Sequence, residues 1–115
     1  PYPSAATAPA GLIDEDHVVR LANLPTSRGY QAQLYGLMGW TSYSRLPQLA
    51  CPTLVLHGQQ DLLIPLQNGR LLAARIRDAE LVELADASHW IHTDQLDATV
   101  AAVKNFITAR EPPAP

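Results

Sequence analysis

The stretch that decides the fold runs Pro52-Thr-Leu-Val-Leu-His-Gly-Gln-Gln-Asp61-Leu-Leu-Ile-Pro65. Thr53 to Leu56 is a short, essentially apolar run with Pro52 before it and Gly58 shortly after it. Such a run reads as a strand buried on both faces, the usual condition of parallel strands. Gly58 ends the strand and frees the backbone to turn, so Asp61 falls in the loop beyond the carboxyl end. In open α/β sheets that rim is where sites are built. A second unit repeats the plan: Ala79-Glu-Leu-Val-Glu-Leu84 reads as a strand and Ala85-Asp-Ala-Ser-His89 as its loop. One loop delivers a carboxylate and the next an imidazole.

Outward from this pair, Leu66 to Ile76 reads as the crossover helix, with Leu71, Leu72 and Ile76 on its inner side. From Gln95 onward, Leu96, Val100, Val103, Phe106 and Ile107 recur at helical spacing, and Lys104 and Arg110 lie toward the carboxyl end, where the helix dipole favours cations. Upstream, Leu46 and Leu49 are expected to pack beneath the first strand. Tyr30 to Trp40 places Tyr30, Leu34, Leu37 and Met38 on one helical face, although Gly36 and Gly39 cost about 1 kcal/mol each relative to alanine. His17 to Asn23 reads as a short helix with Asp14, Glu15 and Asp16 near its amino end, broken by Pro25-Thr-Ser-Arg-Gly29. The organisation expected is α/β: an irregular N-terminal segment over 1–29, a βαβα unit within 30–109 whose two strands run parallel through a right-handed crossover, and a disordered tail over 110–115.

Composition narrows the function classes. With 115 residues, 47% hydrophobic and 17% charged, the chain is one domain's worth at most and globular rather than disordered. A formal net charge of −3 gives no electrostatic basis for binding nucleic acid or an anionic membrane. No apolar run approaches the roughly 18 residues that span a bilayer. The single cysteine, Cys51, cannot form an internal disulfide, which makes a reducing, cytoplasmic compartment the default expectation. The chain opens on Pro1 rather than Met, so it is expected to be a processed chain or a piece of a longer one.

The pattern Pro-Thr-Leu-Val-Leu-His-Gly-x-x-Asp-x-x-x-Pro, then a short strand, then Ser-His, resembles the C-terminal part of an α/β-hydrolase. The resemblance covers roughly Tyr30 to Ile107 and is strongest from Pro52 to His89. It implies that Asp61 is the acid and His89 the histidine of a triad, 28 residues apart and in the family's chain order of Ser, then Asp, then His. It further implies that His57 sits behind the acid and the histidine or lines their pocket, and gives the helices upstream a cap-like role. Trp90 is a further candidate for that supporting or pocket place, although packing beside the histidine loop is the more expected role. The implied activity is hydrolysis of a carboxylic ester or related acyl bond through a covalent acyl-enzyme, with no metal or organic cofactor. The implied partners are a small-molecule ester or acyl substrate and the missing N-terminal part of the domain, or a second copy of the chain. Lactonase, dehalogenase, epoxide hydrolase and haloperoxidase chemistries occur in the same family.

Each of these residues also has a plainer reading. His89 in isolation could be an ordinary loop histidine, Asp61 a turn aspartate, and Asp86 and Asp94 rival acids by proximity. Tyr30, Tyr35, Met38 and Trp40 could wall an acyl pocket or form a core stripe. His89-x-x-His92 with Asp61 can be drawn as a zinc site, but no further spaced ligand supports it. The nucleophile is the gap: serines stand at 4, 27, 42, 44 and 88, none within Gly-x-Ser-x-Gly, and Cys51 lies at the wrong end of its strand. The chain alone is therefore not expected to hydrolyse esters by this route. The alternative reading is a non-catalytic interaction module that retains the hydrolase fold.

Overall fold

The computed structural model describes residues 11–111. The segments 1–10 and 112–115, expected to be irregular and a frayed tail end, lie outside the described residues. In chain order the elements are α1 (Leu12–Ala22), α2 (Ser27–Leu37), one 3₁₀ turn (Leu46–Gln48), β1 (Thr53–Gly58), α3 (Leu66–Arg75), β2 (Ala79–Leu84), α4 (Ile91–Asp94) and α5 (Leu96–Thr108).

The two strands pair in parallel, with Thr53 opposite Ala79, His57 opposite Glu83 and Gly58 opposite Leu84. Both therefore end at one level and release their loops side by side. Helix α3 lies against both strands, and α5 touches both as well. Leu46, Ile76, Leu84 and Ala87 are the buried apolar residues. Leu46 is buried, on a turn that lies against α3, whereas Leu49, expected to pack beneath the strand with it, is 40% exposed. Thr53 to Leu56 is only half-buried, since β1 and β2 are the only described strands and each leaves its outer edge open.

Several elements start or stop where local chemistry, not hydrophobic spacing, dictates. α1 begins at Leu12, five residues before the expected start at His17, with Gly11 taking φ 86° at its amino end. α2 begins at Ser27 rather than Tyr30, because the Thr26 hydroxyl accepts the Gly29 N–H at 3.1 Å and so caps an orphan donor. The helix stops at Leu37, and Gly39 supplies the positive φ (77°) that lets the chain leave it.

Downstream, the one long helix expected from Gln95 is preceded by the separate single turn α4. Along α5 the half-buried positions are Thr99, Ala102 and Phe106, with Gln95 half-buried at its amino-terminal cap, whereas Leu96, Val100, Val103 and Ile107 are 39–53% exposed. Arg110 closes the helix: its Nη1 donates to the Phe106 carbonyl at 3.3 Å and its guanidinium lies 3.7 Å from the Phe106 ring. The same group approaches Glu80 (3.7 Å) and Asp78 (3.8 Å), which ties α5 to the start of β2.

Candidate active site

The loop after β1 is shaped by Asp61. Its Oδ1 accepts the backbone N–H groups of Leu63 (2.8 Å) and Ile64 (2.9 Å), closing a tight turn on its own side chain. The carboxylate is 95% withdrawn from solvent, at 5% exposure. Burial alone raises a carboxyl pKa, but the N–H of Ile64, the imidazole of His89 and the N–H of Leu63 together hold Asp61 below the ordinary 3.8. Asp61 is thus ionised at neutral pH.

The remaining oxygen, Oδ2, faces the second loop. His89 Nδ1 lies 2.9 Å from it, and because a carboxylate only accepts, Nδ1 carries the proton and donates. In the neutral ring this is the tautomer whose lone pair is on Nε2. The ring is 38% exposed, so the free nitrogen sits at an accessible rim rather than in the core.

Backbone contacts hold the two loops in step. Gln59 N–H donates to Leu84 O and Gln60 N–H to Ala87 O, both at 2.9 Å. At Gly58 the chains touch: a Cβ there would collide with the carbonyls of Ala87 and Ser88. Glycine is required because the histidine loop passes directly across it.

His57, on the last turnward residue of β1 but one, braces the acid loop from beneath. Its Nε2–H donates to the Ile64 carbonyl at 2.9 Å, and the same nitrogen lies 3.7 Å from Asp61 Oδ2. Gly69 of α3 packs so closely on this ring that a Cβ there would come 2.8 Å from Nδ1. Nearby, Arg70 grips Glu83 with two bonds (2.7 and 3.0 Å), and Gln59 adds a third at 3.2 Å.

Of the sequence-derived candidates, Asp61, His89 and His57 meet at one rim, and Trp90 is half-buried beside them with the Arg20 guanidinium 4.0 Å over its ring. Asp86 is exposed and outside the cluster. Asp94 is 5% exposed and bonds Ser88, not His89; its Oδ2 accepts from the Ser88 N–H (2.7 Å) and hydroxyl (2.6 Å). Ser88 is thereby committed away from the imidazole. This contact was missed from sequence, where Asp94 figured only as a rival acid; the single turn α4 that aims it backward has no periodic signature. Among the described residues no group of three or more His, Cys, Asp and Glu is arranged to hold a metal ion, and no helix is long and apolar enough to cross a membrane. Tyr30, Tyr35, Met38 and Trp40 are all more than half exposed. Trp40 alone of these lines a cleft of about 300 Å³ with Tyr43, Leu46, Asn68 and Leu71, and neither the acid loop nor the histidine loop reaches it.

Residues 10–96 match the family profile described as alpha/beta hydrolase fold. The chain belongs to that family. Within it, the chain is 42% identical over 79 residues to a poly(3-hydroxyalkanoate) depolymerase of Ectopseudomonas oleovorans, covering 69% of this chain and 28% of that protein. It is 36% identical over 76 residues to a 2-hydroxy-6-oxo-6-phenylhexa-2,4-dienoate hydrolase of Delftia acidovorans, covering 66% and 27%. Among solved structures, a thermophilic esterase from Thermogutta terrifontis superposes with a TM-score of 0.57 at 32% identity, over 59% of this chain and 25% of that one. The 2-hydroxy-6-oxo-6-phenylhexa-2,4-dienoate hydrolase of Rhodococcus sp. strain RHA1 gives a TM-score of 0.64 at 25% identity, over 87% and 39%. These relatives are hydrolases, and the chain spans less than a third of the length of the two curated ones. Its parallel two-strand sheet flanked by helices is thus part of an α/β-hydrolase fold.

Proposed function

We propose that Asp61 and His89 are the acid and the base of a hydrolytic triad, and that the nucleophile comes from polypeptide other than these 115 residues. The observation that carries this reading is the 2.9 Å bond from His89 Nδ1 to a buried, ionised Asp61, with Nε2 left at an accessible rim. In such an arrangement Nε2 takes the proton of a hydroxyl as its oxygen attacks an acyl carbon. The imidazolium then returns that proton to the departing alkoxide as the tetrahedral intermediate collapses, leaving an acyl-enzyme. Water repeats the sequence: Nε2 takes its proton, the acid product leaves, and the nucleophile recovers its hydrogen. Asp61 stays ionised throughout, holding the tautomer and stabilising the charged ring. His57 holds the Asp61 loop through Ile64 and takes no part in proton transfer.

The substrate class proposed is a small-molecule carboxylic ester or a related acyl bond, in keeping with the depolymerase and esterase relatives. A fluorophosphonate probe, which labels activated serines, tests the assignment. The complete polypeptide containing this segment is expected to be labelled, and His89→Ala to slow labelling by at least about 10²-fold, the lower end of general-base contributions. Residues 1–115 alone are expected to stay unlabelled. Equal labelling of wild type and His89→Ala contradicts the base assignment. Labelling of the 115-residue chain that disappears on replacing one of its own serines contradicts the external nucleophile.

A further inference from the structure

We propose that Asp94 is a positioning residue for His89, clamping the Ser88–His89 segment so that the imidazole stays turned onto Asp61. The proposal rests on reading Asp61 and His89 as acid and base, and it assigns a task to a buried carboxyl that this chemistry does not otherwise use.

His89 is carried by an exposed loop, and its ring is 38% exposed, so packing alone does little to orient it. The residue just before it is held on two sides. On one side the Ala87 and Ser88 carbonyls lie across Gly58 of β1, so closely that no Cβ fits between, and Ala87 O accepts the Gln60 N–H. On the other side Asp94 Oδ2 receives both the N–H and the hydroxyl of Ser88, at 2.7 and 2.6 Å. Both bonds are short, and Asp94 as a residue is only 5% exposed, so water competes little for them.

Asp94 is itself well anchored. Its N–H and that of Thr93 donate to Trp90 O (2.9 and 2.8 Å), forming the single turn α4, and the Thr99 hydroxyl of α5 donates to Ile91 O at 3.1 Å. The support therefore runs from α5 through α4 to Ser88 and stops one residue short of His89. A displacement of the backbone that carries His89 away from Asp61 has to break a Ser88–Asp94 bond or drive the loop into Gly58. Misplacement by about 1 Å can cost roughly 10²-fold in turnover, which makes such a support matter.

The 115-residue chain labelled with ¹⁵N-histidine tests this by NMR, with no need for turnover. Wild type is expected to show a protected, downfield Nδ1–H signal from His89. Its absence would overturn the Asp61–His89 reading itself. With the signal present, Asp94→Ala is expected to lose it, and Asp94→Asn, whose amide oxygen still accepts from Ser88, to keep it with faster solvent exchange. An undiminished signal in Asp94→Ala overturns the clamp, as does equal loss in both variants. Should Asp94→Ala lose its helical far-ultraviolet signal, Ser88→Ala decides, because it deletes only the 2.6 Å hydroxyl bond. Faster Nδ1–H exchange there supports the clamp, and unchanged exchange overturns it.

Discussion

Asp61 does two jobs with two oxygens: one shapes its loop and the other meets His89. The same bonds predict a pH effect. A carboxyl whose pKa is lower in the folded chain than in the unfolded one binds protons more weakly when folded, so the unfolded state gains protons first as pH falls. The stabilisation is complete above the unfolded value of about 3.8 and disappears as pH drops through the lower folded value. Acid unfolding followed by circular dichroism should therefore lose an increment below pH 3.8 that is missing in Asp61→Asn. A variant that follows the wild-type curve through this range would deny the carboxylate its role in the loop. Asp61 and His89 were legible in the sequence because each follows a recognisable strand by a loop. The Asp94–Ser88 contact was not, because it depends on one four-residue turn with no hydrophobic period to announce it.

Glycines separate the elements that merely tolerate small residues from those that need them. Gly58 faces two backbone carbonyls that cannot swing aside, so Gly58→Ala should destabilise by about 1–3 kcal/mol in urea titration, as overpacking does. Unchanged stability would mean that the two loops are not in contact. Gly36 and Gly69 make a paired test. Gly36 lies within α2 with nothing within 4 Å of an added Cβ, and Gly36→Ala should stabilise by up to about 1 kcal/mol through helix propensity alone. Gly69→Ala gains the same propensity but presses on the buried His57 ring, and the collision is expected to win by about 1 kcal/mol. Equal effects at both sites would contradict the close packing of α3 on β1. Element identity followed from period and length, but ends did not: Thr26 moved the start of α2 by a side-chain cap that hydrophobic spacing does not register.

At the scale of the whole molecule, burial is incomplete in an ordered way. Leu96, Val100, Val103 and Ile107 form one stripe on α5, yet each keeps 39–53% of its surface exposed, and the large residues of α2 are likewise open. The Cα radius of gyration is 17.0 Å, against about 13 Å for a compact domain of this length. The sequence shows an amphipathic pattern here because periodicity records which residues need cover, not whether the covering element lies in the same 115 residues. Contiguous apolar surface of this kind drives association. Sedimentation velocity should show the chain gaining mass with concentration, and a 12.5 kDa monomer that persists at high concentration would contradict that expectation. The acid–base pair remains the central claim. Its most direct measurement is kcat/KM for an activated ester in the complete polypeptide carrying Asp61→Asn. The account predicts a loss of about 10⁴-fold in an otherwise folded protein, the scale seen when a serine-protease triad loses its acid, and turnover close to wild type would contradict it.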